Sequence, residues 1–234
     1  MFSKIKQNLK RNIILNSIFS KIIEKFYSES GVNITLKTLL DKSKINKNSI
    51  KVIYDIGCHK GEWTKDIKSL FPNSIVYQFD AVNYPKEDLR NVFFNQVCLG
   101  DKCEKQNFYK RCESGDSLFK EKGEIYSKQD KITIDVETLD FFLKKRKIKN
   151  PNYLKIDAQG AELIILKGAQ NCIKDTEFIQ LEVSYVEYNE GGCLLEEVLP
   201  FMRSNNFTPI AFSHIKGDDH RIIQSDILFQ KNRK

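Results

Sequence analysis

The chain has 234 residues, 41% hydrophobic and 29% charged, with a formal net charge of +7 carried largely by lysines spread along its whole length. That balance fits one folded domain with a sizeable core, and the moderate charge permits contact with phosphates or anionic membranes without requiring it. No apolar run approaches the roughly 20 residues of a membrane-spanning helix, and the six cysteines (Cys58, Cys98, Cys103, Cys112, Cys172, Cys193) form no C-x-x-C pair, so their spacing suggests neither zinc nor a disulfide framework and reduced thiols are expected.

Residues 1–48 stand apart. Phe2, Ile5, Leu9 and Ile13, then Ile18, Ile22 and Phe26, recur at helical spacing with Lys and Arg on the other face, and a second short helix is expected over 33–43. IILNSIF is short, is interrupted by Asn and Ser, and precedes no small-residue cleavage site, so it does not read as a signal peptide. We read 1–48 as a helical extension of a domain over 49–234. It either packs on that domain or touches a membrane surface peripherally, which for a cytoplasmic protein with reduced thiols is the inner face.

From Ile50 onward strands and helices alternate. KVIYDI (51–56) predicts a strand, and Trp63, Ile67, Leu70 and Phe71 mark a helix that stops before Pro72-Asn73. SIVYQFD (74–80) is a second strand, Pro85–Arg90 a helix and VFFNQVCL (92–99) a third strand. Residues 100–135 break the rhythm, with QNFYKR and KITIDV as an inserted hairpin. Helix 138–148, strand 152–157, helix 161–168 (closed by Gly168), strand 178–185 and helix 194–205 follow, and FTPIAFSH and RIIQSDILFQ end the chain as an antiparallel pair. The alternation predicts an α/β fold whose parallel strands all end on one rim, where ligands bind. Asp55, Asp80, Asp157 and Glu182 each end a predicted strand there.

DIGCHKG (Asp55–Gly61) opens the first helix, and its glycines permit a tight turn with close ligand approach. The spacing is G-x-x-x-G, which departs from the dinucleotide G-x-G-x-x-G. Asp80 follows Gly61 by 19 residues and can accept hydrogen bonds from both hydroxyls of a ribose. His59 is either a general base or a loop residue shaping the pocket. His214 and His220 flank Gly217-Asp218-Asp219 and either reach the rim or sit in a solvated loop. Trp63 reads as core and Cys58 as a small apolar contact. Asp157 and Glu182, with His214 or Asp219 as a third ligand, form a candidate magnesium site, although a metal is not the favoured reading.

Taken together, DIGCHKG, FDA, TLDFFL, YLKIDAQGAELIILKGA, LEVSY and the closing DILF resemble the FkbM family of S-adenosylmethionine-dependent methyltransferases, over approximately Lys51 to Phe229. The resemblance implies a class I methyltransferase (Rossmann-like) sheet of seven strands, mostly parallel with the last antiparallel, and helices on both faces. It implies that Asp55, Gly57, Cys58, His59 and Gly61 surround the methionine part of the cofactor. Asp80, with Ala81 beside it, takes the ribose where many relatives carry Glu in FEP, and Ser117-Leu118 approach the adenine side. The implied activity is O-methylation of a hydroxyl, often on a sugar of a surface glycan, with a small-molecule or glycan acceptor and no nucleic acid. Within that reading Asp157 is the first candidate base, Glu182, His59 and His214 are reserves, and Lys155 steadies Asp157. The rivals are a nicotinamide-dependent oxidoreductase and a non-catalytic membrane- or nucleic-acid-binding module using the basic N-terminal helix.

Overall fold

The computed structural model describes residues 47–111, 115–122, 130–217 and 221–232. The N-terminal extension and its membrane reading lie outside the described residues except for the last positions, as do Cys112, Asp218, Asp219 and His220.

Seven strands form the main sheet in the order β3-β2-β1-β7-β8-β10-β9. They are β1 (Val52–Ile56), β2 (Ile75–Asp80), β3 (Val92–Gln96), β7 (Tyr153–Ile156), β8 (Phe178–Ser184), β9 (Phe207–Gly217) and β10 (Ile222–Lys231). Neighbours from β3 to β8 run parallel, and β10 runs antiparallel to both β8 and β9. The last strand in sequence is therefore an inner strand of the sheet. A second sheet, in the order β4-β6-β5, contains β4 (Cys98–Gly100), β5 (Glu104–Lys110) and β6 (Asp130–Thr138). Its β5–β6 pair is the expected inserted hairpin.

Helices cover both faces of the main sheet. α1 (Glu62–Leu70) presses Ile67 against Ile53, Val76, Tyr153, Phe178 and Leu228. On the opposite face lie α2 (Leu139–Arg146), α3 (Glu162–Lys167), α4 (Cys172–Asp175) and α5 (Leu195–Ser204). They bury Phe142, Leu166, Ile173 and Met202 against Tyr54, Leu154, Ile179 and Leu181. Because strand side chains alternate, odd and even positions of β1 and β7 serve the two faces. Both strands read as unbroken apolar runs apart from the acids and lysine at their tips.

Three expectations change. VFFNQVCL is two strands in two sheets, with the Val97 N–H bonded to the Asp80 carbonyl at the break (2.9 Å). Pro85–Arg90 is irregular chain: its lone long apolar residue, Leu89, gives a six-residue helix no face to bury, and so short a helix does not stand alone. Gly168 ends α3 in right-handed conformation (φ −80°), and its lack of a side chain serves packing, since a Cβ there would lie 2.1 Å from the Gly100 carbonyl oxygen.

On the α1 side, the sheet face is apolar where the parallel strands begin and polar where they end. Ile53, Val76, Tyr153 and Phe178 give way to Asp55, Gln78, Lys155 and Gln180, which lie side by side in register. Antiparallel β10 continues the polar half with Asp226 opposite Glu182.

Candidate functional site

A cavity of about 510 Å³ opens where β1, β2 and β7 end, beneath the segment 115–122. Of the expected cofactor contacts, Gly57, Cys58, His59, Asp80 and Ala81 line it on one side, and Ser117 and Leu118 line it from above. Asp157 reaches the same wall. Asp55, Gly61, Glu182 and His214 stand off it, each for a definable reason.

Gly57 (φ 74°) donates its N–H to the Phe79 carbonyl at 2.9 Å, and a Cβ there would lie 1.8 Å from the Asp157 carbonyl oxygen. Only glycine allows the tips of β1 and β7 to approach so closely. His59 also has positive φ (47°); its N–H donates to Asp80 Oδ2 at 2.8 Å, and its ring meets Tyr84 edge-on at 4.5 Å. The Val82 N–H donates to Asp80 Oδ1 at 2.9 Å. Each Asp80 oxygen thus has one backbone donor and keeps further acceptor capacity. Burial pushes the Asp80 carboxyl up against the pull of those two donors. Cys58 is buried and its thiol is pushed up by burial, which suits an inert contact.

Asp55 is fully buried. Its Oδ2 accepts from Thr64 Oγ1 at 2.6 Å, and its Oδ1 lies 3.6 Å from Lys155 Nζ with no hydrogen-bond partner among the described residues. α1 shuts it off from the cavity, so Asp55 braces the loop from behind. Gly61 is the N-cap of α1 and abuts the Gln78 amide, away from the wall.

The β7–α3 turn carries the acids. Gln159 has φ 50°, and Gly160, at φ 94°, has Gly192 Cα where a side chain would start (3.0 Å). Buried Glu162 folds back to accept from the Ala158 N–H (2.8 Å) and the Gly160 N–H (3.3 Å), so it braces the turn as expected of an acid at a helix start. Burial pushes its carboxyl up to about 7.

Asp157 lies 3.2 Å from Lys155 Nζ. Burial alone would raise its carboxyl, but Lys155 and Lys216 outweigh that and hold it below the usual carboxylate range. Glu182 behaves oppositely: burial first, then the neighbouring Asp157 charge, push it up to about 8 although Lys216 Nζ donates to its Oε1 at 2.6 Å. The Gln159 amide joins the two acids, 3.2 Å from Asp157 Oδ1 and 2.9 Å from Glu182 Oε2. Glu182 is 5% exposed and sits behind this amide, off the wall. His214 turns to Asp226 (3.2 Å) and does not reach the cavity as a base.

Residues that spacing did not single out complete the wall. Trp63, read as core, packs on Tyr153 yet lines the cavity, and its Nε1 has no partner among the described residues. Lys216 enters from β9, beyond the predicted end of the FTPIAFSH strand, and Gln224 enters from β10, within the predicted RIIQSDILFQ strand. Above, the 115–122 segment is tied to both flanks. Tyr84 bonds Asp116, Tyr188 bonds Glu121, Arg111 pairs with Glu121 at 3.1 Å, and Ser117 Oγ donates to the Gln159 carbonyl at 2.8 Å. These partners come from separate loops, and no sequence interval announces them.

Among the described residues no group of three or more His, Cys, Asp or Glu could hold a metal ion, and no helix is long and apolar enough to cross a membrane.

Comparison with known proteins bears on the same stretch. The 2-O-methyltransferase NoeI of Sinorhizobium fredii (strain NBRC 101917 / NGR234) is 24% identical over 222 residues, 86% of this chain and 88% of that protein. Among solved structures, a methyltransferase FkbM from Methylobacillus flagellatus KT superposes with a TM-score of 0.46 at 16% identity, over 77% of this chain and 43% of that one. M. capricolum TrmK, solved with S-adenosylhomocysteine, gives a TM-score of 0.42 at 14% identity over 78% of this chain and 63% of its own. The Methyltransferase FkbM domain matches residues 55–209, from the buried acid of the glycine loop to the start of β9. The chain belongs to the FkbM methyltransferase family.

Proposed function

We propose that the protein is an S-adenosylmethionine-dependent O-methyltransferase that acts on a hydroxyl, in a sugar of a surface glycan or glycoconjugate. The observation that carries this reading is the meeting of Gly57 and Asp157: the cofactor-type glycine loop and the candidate acid share one wall. The name of the Sinorhizobium relative supports oxygen as the methylated atom.

The residues fit that cofactor. About 510 Å³ lies within the range of small-ligand pockets, and Asp80 offers spare acceptor capacity on both oxygens for a ribose diol. Gly57 and Cys58 line the side of the glycine loop, while Leu118 and Ser117 close the far side. When bound, the sulfonium supplies an activated methyl group.

The protein's part is placement. Asp157, held ionised by Lys155 and Lys216, accepts the hydrogen bond of the acceptor hydroxyl and turns an oxygen lone pair toward the glycine loop. Trp63, Gln224 and Lys216 frame the acceptor side. Such positioning contributes roughly 7–11 kcal/mol in the best intramolecular cases, and removal of the proton during attack adds about 10²–10⁴-fold.

The test is binding followed by turnover. Calorimetry of the full chain should show S-adenosylhomocysteine binding and no NAD binding; the reverse would favour the oxidoreductase. Mass spectrometry after incubation with S-adenosylmethionine and a panel of sugars should then show gain of one methyl group on oxygen. Methylation of nitrogen or carbon acceptors instead would overturn the acceptor assignment.

A further inference from the structure

The polar half of the sheet face holds more acids than bases. Asp55 from β1, Asp157 from β7, Glu182 from β8 and Asp226 from β10 surround Lys155 and Lys216, and each lysine feels several of these acids at once. Glu162 of α3 adds negative charge behind Glu182, and His214 of β9 stands beyond Asp226. Two ammonium groups do not balance this set, in which Asp55, Glu182 and Asp226 are buried, so the layer favours holding a proton. Its place is indicated by contact: one Gln159 amide nitrogen lies 3.2 Å from Asp157 Oδ1 and 2.9 Å from Glu182 Oε2, which holds the two carboxyls close enough that a single negative charge across the pair is favoured.

Resting on the proposed methyl transfer, we infer that the Asp157–Glu182 pair is the proton store of the reaction, loaded when the cofactor position is neutral and unloaded when a sulfonium cation lies beside it. In the transfer the acceptor oxygen gains a bond to the methyl carbon, and the carbon–sulfur bond breaks with its electron pair left on sulfur. The hydroxyl proton passes to Asp157 and comes to rest on Glu182. Positive charge leaves the sulfur as a proton enters the pair, so the net charge of the site is unchanged. Asp157 touches the acceptor, and Glu182 acts through it. Gln159 and Lys216 fix Glu182 at 2.9 Å and 2.6 Å, and both also line the cavity. The opposite displacement of the two carboxyls, Asp157 down and Glu182 up to about 8, agrees with one proton shared unequally.

The measurement is proton exchange on binding. S-adenosylmethionine and S-adenosylhomocysteine are titrated calorimetrically into the full chain at pH 7.5, in phosphate and in Tris. The dependence of heat on buffer ionisation enthalpy gives the protons released per ligand. The sulfonium ligand should release about half a proton or more, as expected for a pair titrating near pH 8, and the thioether far less. Glu182→Gln should retain binding of both ligands and lose the difference. Equal release by both ligands in the wild-type protein overturns the store, and so does a difference that survives in Glu182→Gln. Should that variant not fold, the wild-type comparison still decides. Absence of binding by either ligand is a separate result, which removes the methyltransferase reading itself.

Discussion

Gly57 faces the carbonyl of Asp157 so closely that the first carbon of any side chain would lie 1.8 Å from that oxygen. The contact binds the tip of β1, which carries the cofactor loop, to the tip of β7, which carries the candidate acid. Gly57→Ala should therefore force the two tips apart. Its left-handed backbone adds roughly 1–2 kcal/mol for an L-residue, and the overlap adds more. Both the melting temperature and the affinity for S-adenosylhomocysteine should fall; a variant that melts and binds like wild type would show that the loop relaxes freely.

Asp80 supports the loop as well as any ribose, because it accepts the N–H groups of His59 and Val82. Asp80→Ala should weaken S-adenosylhomocysteine binding about 10–100-fold, the range expected for losing charged hydrogen bonds of about 1.5–3 kcal/mol. Asp80→Asn keeps one carbonyl acceptor and should lose less. Calorimetry that found unchanged affinity in Asp80→Ala would remove this residue from the cofactor site.

Asp157→Asn should lower turnover by about 10²-fold or more while cofactor affinity changes only a few-fold, since Lys155 keeps Asp55 as a counter-ion at 3.6 Å. Single-turnover kinetics alongside a thermal melt separates loss of chemistry from loss of fold. Wild-type turnover by a folded variant would contradict Asp157's role.

Glu162 gives a stability signature. Its carboxyl is raised to about 7 in the folded chain from an ordinary 4.5. Between those values the folded protein keeps a proton that the unfolded chain has released, so stability is full below pH 4.5 and falls as pH rises through 7. The loss amounts to about 3 kcal/mol. Glu182 has the same sign over a window that reaches about 8. Glu162→Gln keeps an oxygen for the Ala158 and Gly160 N–H groups and should flatten part of the slope. Denaturant melts at pH 6 and pH 8.5 test this: the variant should lose less stability than wild type across that interval, and an equal loss would sink the assignment.

What could be read from the sequence follows the range of the forces involved. Strand–helix alternation reports burial within short windows, so β1, β2, β7, β8 and most helices stand where hydrophobic periodicity puts them. The acids at strand tips were legible for the same reason. The split of 92–99 was not, because Val97 changes sheets through a long-range bond to Asp80, and both halves of the run are equally apolar. Lys216, Tyr188 and Arg111 reach the cavity from loops and a late strand, and their placement depends on pairings across many tens of residues. Asp55 illustrates the opposite error: a strand-end acid in a cofactor motif that faces Thr64 and Lys155 instead of the cavity.

The division of one sheet face into an apolar and a polar half also guards the alignment of the chain. Tyr153, Lys155 and Asp157 share that face, while Leu154 and Ile156 serve the opposite core. A slip of β7 by a single position against β1 would send Lys155 into the packing of α3 and α5 and expose leucine and isoleucine to the charged layer. The groups proposed for the reaction therefore act as a ratchet during folding, since a one-residue slip strands an ion in hydrocarbon. Neutralising Lys155 together with its acids would relax that discrimination, so the native alignment itself depends on the charges that line the cavity.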